Sequence, residues 1–315
     1  MTIYVIDGSA LLQAQVALLS TFGELADSIF DQLPKVQRVD FVSDSYLPLS
    51  IKGIERARGC SSEAFLIIGT LTKVPRDWKK FLSNDKNKQR FIHFLLDEWK
   101  KDKYGSKLLG KKVLFVCENK YISLSNSDGT HTVSEEVEEL ISTQEEADTK
   151  IILHCVHIAF NPTDESTIIV RYPDTDVVIL LLNFIQGFKQ KVLFDTGTGN
   201  KRHLIHIHSI IKEVEKDLCL ALSAVHAFTG CDTTSAFVRK GKVIALNILK
   251  QHQDFVEIFQ RLGKSVEIDD DVFDKLERFT CLLYGDAGTL TNYDMRIFYK
   301  DFVPNPGCCY RATVE

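Results

Sequence analysis

In this chain of 315 residues, aspartates recur just past short runs of β-branched and apolar residues. Asp7 follows Ile3–Ile6, and Asp44 follows Val39-Asp40-Phe41-Val42-Ser43. Asp174 follows Ile168–Tyr172 across one proline, with Asp176 two residues on. If these runs are neighbouring parallel strands, their C-terminal ends line one crevice, and three strands deliver carboxylates to a single rim. Carboxylates at that density repel and raise one another's pKa, so a bare cluster is destabilising. Divalent cations remove the conflict, and an all-oxygen ligand set selects hard ions such as Mg²⁺ or Mn²⁺. Two more acidic groups extend the pattern. Gln144-Glu145-Glu146-Ala147-Asp148-Thr149 sits where a helix begins, since apolar spacing resumes at Ile151, and Gly230-Cys231-Asp232 follows the apolar stretch Ala221–Phe228. Both also have ordinary readings: acids in a first helical turn complement the macrodipole, and a lone Asp beside a helix end is commonly a cap.

The elements that must position these groups alternate. The strand-like runs Ile3–Ile6, Val39–Val42, Val113–Cys117 and Ile168–Tyr172 are separated by segments of helical spacing, among them Gly23–Leu33, Arg90–Trp99 and Glu146–Phe160. That order predicts an α/β fold, a mostly parallel twisted sheet with helices on both faces. A hairpin is expected from Val192–Phe194 to His203–Ile207, turned at Gly197-Thr198-Gly199-Asn200. Beyond it the strand signals stop. Ala221–Phe228, Lys242–Gln251, Phe255–Leu262 and Val272–Tyr284 read as a helical lobe, which divides the chain into an α/β core over 1–206 and a lobe over 207–315.

Apolar residues make up 44% and charged residues 26%, which is globular usage and excludes wholesale disorder. The net charge of −5 advertises no global basic field, but the average hides a contrast. Lys52 to Lys120 holds 17 Lys and Arg against 8 Asp and Glu, a basic insertion beside an acidic body, which suits a polyanion gripped next to a metal site. A solvated helical surface is the plainer reading of the same charges. No stretch reaches the roughly 18 apolar residues of a membrane span, and the N-terminus opens on a strand-like run instead of a signal segment. Eight scattered cysteines without a C-x-x-C read as reduced core residues. Nucleus or cytosol is the expected location, with no membrane partner and no secretion. No P-loop or dinucleotide fingerprint is present, so no organic cofactor is expected. The expected state is a monomer.

Asp7, Asp44, Glu146-Ala147-Asp148, Asp174-Thr175-Asp176 and Gly230-Cys231-Asp232 occur in an order and spacing that resembles the flap-endonuclease-like 5′ nucleases of the PIN-like superfamily. Asp44-Ser45-Tyr46-Leu47-Pro48 resembles that family's Asp-to-Pro turn, with Ser45 in place of its Gly. Asp148 stands where the family has a second Glu. Arg239-Lys240-Gly241-Lys242-Val243-Ile244-Ala245-Leu246 looks like the glycine hairpin and second helix of its helix–turn–helix element, around 228–251. The resemblance implies a metal-dependent nuclease acting on structured DNA of flap or junction type or, as the less favoured substrate, RNA. Two Mg²⁺ ions, or Mn²⁺, would clamp the scissile phosphate. Asp7, Asp44, Glu146 and Asp148 would form one ligand group, with Glu145 able to substitute for Glu146, and Asp174, Asp176 and Asp232 the other. Lys52 and Arg58 would neutralise developing phosphate charge. Lys52, Arg56, Arg58, Lys240, Gly241 and Lys242 would contact the nucleic acid.

Two other readings compete. The scaffold could bind nucleic acid or assemble without turnover. More remotely, Asp195-Thr196-Gly197 after Val192-Leu193-Phe194 matches the Asp-Thr-Gly of aspartic proteases, but as a single copy in an α/β context. His203, His206 and His208 could suggest a transition-metal site, with His206 and His208 on one strand face, though a strand edge explains them as well.

Overall fold

A computed structural model describes residues 1–15, 19–46, 63–160, 166–232, 234–265 and 269–285. The chain divides into two compact units, Met1–Glu213 and Val214–Glu315. In chain order the first unit contains β1 (Thr2–Asp7), α1 (Gly8–Gln13), α2 (Phe22–Gln32), β2 (Arg38–Val42), α3 (Trp78–Leu82), α4 (Asp85–Trp99), α5 (Gly105–Leu108), β3 (Lys112–Cys117), β4 (Lys120–Ser125) and β5 (Val133–Glu136). It continues with α6 (Ala147–Phe160), β6 (Thr167–Arg171), α7 (Asp176–Phe184), β7 (Lys191–Thr196), β8 (His203–His206) and α8 (Ile207–Val214). The second unit is helical: α9 (Lys216–Phe228), α10 (Lys242–Gln251), α11 (Gln253–Arg261) and α12 (Asp270–Leu283).

One eight-stranded sheet runs in the order β5-β4-β3-β2-β1-β6-β7-β8. Its five central strands are parallel, and β4, β5 and β8 join antiparallel at the two sides. The chain leaves β1 for β2 on one side and later returns to β6 on the other, so the strand order reverses between β1 and β6. A crevice therefore opens at the C-terminal ends of these two strands, the usual ligand position in an open α/β sheet.

The alternation of β2 shows how the sheet is covered on both faces. Val39 and Phe41 enter the main core cluster, which α2 and α4 also supply through Phe22, Phe30, Phe91 and Trp99. Phe41 stacks on Phe115 at 4.7 Å and meets Trp99 edge-on at 5.6 Å. Rings of this size account for much of the apolar burial, at about 1.5–3 kcal/mol per side chain. Asp40 points to the other face, where α6 lies, and is fully buried. Burial alone would raise its pKa. His154 Nδ1 at 2.7 Å and the forked guanidinium of Arg38 at 2.8 and 2.9 Å hold it below its ordinary value.

Local signals fix the helix starts. Thr21 and Glu24 form a reciprocal capping box on α2. Asp7 caps α1 by accepting the amide of Ser9 at 2.8 Å. α1 follows β1 with no intervening loop, and at the junction Gly8 lies against the Phe41 ring, where an added Cβ would sit 2.4 Å from a ring carbon.

The basic stretch is no appendage. Its described part, residues 63–120, contributes Trp78, Phe81, Phe91, Leu95, Trp99 and Phe115 to the main core. Several of its cations are already paired: Lys103 with Asp27 and the buried Glu98, Lys101 with Glu98, and Lys107 with Asp31. The exposed pairs with Asp27 and Asp31 contribute up to about 1 kcal/mol each, and all of these pairs reduce the positive field that counting alone suggests. Among the described residues no helix is long and apolar enough to cross a membrane. Cys117, Cys155, Cys219 and Cys281 are buried thiols, as core cysteines should be, and Cys231 is half-buried. In the second unit, Val225, Leu249, Phe255, Phe259 and Phe279 form a separate core.

Candidate functional site

Three of the expected carboxylates lie along the crevice. Asp7 ends β1, Asp44 lies two residues past β2, and Asp148 occupies the first turn of α6. Asp44 reaches across to α6, its Oδ1 accepting the amide of Ala147 at 2.9 Å and its Oδ2 the Ser9 hydroxyl at 3.5 Å. A carboxylate from another strand thus satisfies a helix-start amide that has no intrahelical partner. The amide of Ser45 donates to the Glu145 carbonyl at 2.7 Å and fixes the same junction.

Asp7 is 6% exposed. Burial, followed by repulsion from Asp44, raises its pKa to about 7 against the pull of the Ser9 and Ala10 amides, and Asp148 adds to the rise. Tyr172, one residue past β6, donates its hydroxyl to Asp148 Oδ1. Burial raises the phenol's pKa, and the charges of Asp7, Asp148 and Asp44 raise it further. The ring hydroxyl contacts Asp148 and feels the charge of the other two acids.

Lys150 supports this arrangement from beneath. Its fully buried ammonium donates to the Ser43 carbonyl at 3.1 Å, Ser45 Oγ at 2.7 Å and the Glu118 carbonyl at 3.2 Å, which ties α6 to the ends of β2 and β3. Burial lowers its pKa to about 8, with the charges of Asp44, Glu145 and Glu118 among those opposing the drop.

The other expected residues are placed differently. Glu146 immediately precedes α6, and its carbonyl accepts the Thr149 hydroxyl and the Lys150 amide. Asp174 is exposed and accepts the amide of Asp176 at 3.0 Å, turning the chain into α7. The carboxylates acting most strongly on Asp7 are Asp44 and Asp148, not Asp174 or Asp176. Asp232 is exposed, in the turn after α9 of the second unit. Lys52, Arg56 and Arg58, together with Leu47 and Pro48 of the expected turn, lie outside the described residues.

In the second unit α9 and α10 flank the connection 229–241. There Lys240 lies 4.9 Å over the Tyr284 ring, and Gly241 is the N-cap of α10. The ammonium of Lys242 donates to the carbonyls of His226 at 3.2 Å and Gly230 at 2.6 Å. The ammonium of Lys242, a residue the sequence places at a phosphate contact, thus lies at the C-terminal end of α9.

Two sequence expectations fail on geometry. Asp195 is 1% exposed and held by a bidentate pair with Arg202, at 2.8 and 2.6 Å, so it is not the proton-sharing aspartate a protease dyad needs. His206 ends β8 while His208 belongs to α8, so the two do not share a strand face.

The donor set of Asp7, Asp44 and Asp148 fits a hard divalent cation in kind: all oxygen, with Asp7 buried, Asp44 and Asp148 half-buried, and repulsion on Asp7 that a cation would relieve. Its spacing is not that of a closed ligand shell. Among the described residues no group of three or more His, Cys, Asp or Glu side chains is placed to hold a metal ion. The acids are close enough to repel and not drawn together around a common point.

Sequence reasoning missed Tyr172 and Lys150. Lys150 carried a signal: it falls on the face of α6 shared by Ala147, Ile151, His154 and Ile158, all buried, where a lysine needs buried acceptors. Tyr172 carried only its position, a hydroxyl just beyond a strand end. The chain matches no protein-family model, no curated protein and no solved structure.

Proposed function

We propose that the first unit hydrolyses phosphodiester bonds in structured DNA with the help of Mg²⁺ or Mn²⁺. The observation that carries this reading is that Asp44 and Asp148, from β2 and α6, lie near enough to act electrostatically on Asp7 of β1, and all three on Tyr172, beside the point where the strand order reverses. Asp7, Asp44 and Asp148 would hold the cation, which supplies water activation and neutralisation of phosphate charge when bound. The chain's own residues do the rest. Lys150 keeps the β2 end against α6, so that Asp44 and Asp148 present a common face, and Tyr172 orients Asp148 through its hydroxyl.

The test is cleavage of a labelled 5′-flap duplex, with a structured RNA in parallel, by wild type, Asp7→Asn and Asp44→Asn in Mg²⁺. Each variant should lose at least a hundredfold in rate. Cleavage that survives unchanged in both variants rejects the assignment.

A second reading has an observation in its favour. Asp44 and Asp148 already have internal partners, and among the described residues no metal-holding group is formed, which suits a scaffold that binds nucleic acid without turnover. That reading predicts salt-dependent binding with no cleavage of either substrate.

A further inference from the structure

Beside the three acids, on the β6 and β7 side, lies a partly open cavity of about 270 Å³ that shares Asp7 with them. Its floor is Ile6, Asp7 and Asp195, all buried at the strand ends. Ala10, Leu11, Pro34 and the Tyr172–Pro173 step give it largely apolar walls. Gln32, Thr196 and Thr198 add polar groups, and the exposed Arg171 stands at the mouth. The turn on the β7 side is fixed in shape. Gly197 takes φ +81°, and a Cβ there would lie 2.3 Å from the Lys201 carbonyl oxygen.

We propose that this cavity receives one unstacked nucleobase of the strand handled at Asp7, Asp44 and Asp148. The proposal rests on the reading above and names the feature of the substrate that the site recognises. Size limits the occupant to a single small ring system, since the volume is at the low end for ligand pockets. Charge narrows the choice further. A free anion would face the buried carboxyl group of Asp7. A free cation gains little from Asp195, whose charge is spent on Arg202, and meets Arg171 at the entrance. A neutral, flat heterocycle with hydrogen-bonding edges, attached to a phosphate outside, satisfies every wall. The ring lies against Leu11 and Pro34, its edge meets Gln32 or Thr198, and the phosphate faces Arg171. Extruded bases are held in this way, by apolar contact on the faces and hydrogen bonds on the edge.

The experiment titrates the full chain, without metal, with 2-aminopurine 2′-deoxyriboside 5′-monophosphate, followed by the probe's own fluorescence. Wild type should give saturable binding. Ala10→Phe, which fills the cavity, should weaken it at least tenfold, and so should Ala14→Trp, whose exposed position at the mouth leaves the fold undisturbed if Ala10→Phe does not fold. No saturable binding by wild type up to millimolar probe, or equal binding by the variants, overturns the proposal. Cleavage gives a separate readout: an abasic residue next to the scissile phosphate should slow wild type at least tenfold. Nucleotide binding that the variants abolish, with no cleavage of any substrate, leaves the cavity assignment standing and removes only the hydrolytic reading. Cleavage without nucleotide binding, and indifferent to the abasic residue, removes only the cavity assignment.

Discussion

Replacing Asp7 by Asn should stabilise the first unit, by an amount that depends on pH. The folded protein holds this carboxyl at a pKa of about 7 against an ordinary 3.8, and the group is 6% exposed. At 1.36 kcal/mol per pKa unit, the rise corresponds to about 4 kcal/mol of folding free energy. Below about pH 3 the side chain is protonated in both states and costs nothing. As the pH rises, the unfolded carboxyl ionises first and the folded one only through about 7, so wild type loses stability across that window. Asparagine keeps the Oδ1 that accepts the Ser9 amide and cannot ionise. The difference between variant and wild type should therefore be near zero at about pH 3 and reach about 2–4 kcal/mol at pH 8. Urea denaturation followed by tryptophan fluorescence measures it cleanly, because the chain's 2 tryptophans, Trp78 and Trp99, both lie in the first unit's core. A difference that stays flat with pH, or a variant less stable than wild type at pH 8, refutes the electrostatic account of the site. Added Mg²⁺ should narrow the gap at pH 8 by stabilising wild type through mass action. A gap that Mg²⁺ leaves untouched counts against the cation and leaves the repulsion intact.

Arg202→Ala should cost about 3 kcal/mol, because it strands the buried Asp195 without its bidentate partner, and Asp195→Asn in the same background should recover part of the loss in urea melts. Gly8→Ala should destabilise by about 1–3 kcal/mol, since its methyl meets the buried Phe41 ring at 2.4 Å. The additional change Phe41→Leu should relieve the Gly8→Ala defect if that contact is its cause.

Much of the sheet was legible from pattern. The runs at Ile3–Ile6, Val39–Val42, Val113–Cys117 and Ile168–Tyr172 became β1, β2, β3 and β6 within a residue or two, and the hairpin after Val192 formed as β7 and β8. What escaped notice has physical reasons. Val133–Glu136 is exposed at all four positions and becomes β5 only by pairing with β4, so no apolar alternation betrays it. The continuous apolar run over 177–182 carries no period that separates helix from strand, and it folds as part of α7. For the site, strand-end position was enough to place Asp7 and Asp44 at the same end of the sheet, because parallel neighbours finish at one rim. It could not rank Asp174 and Asp176, whose direction depends on how the chain turns into α7. Hydrogen bonds such as that of Ala147 to Asp44, 103 residues apart in the chain, are invisible to spacing.

The way the sheet ends has a consequence for the protein in a crowded solution. β5 and β8, the two outermost strands, are only four residues long. β5 carries Glu135 and Glu136, and β8 passes straight into α8. Short or negatively charged borders offer a second chain little backbone to zip onto. Edges of this kind disfavour the growth of the ladder from one molecule to the next.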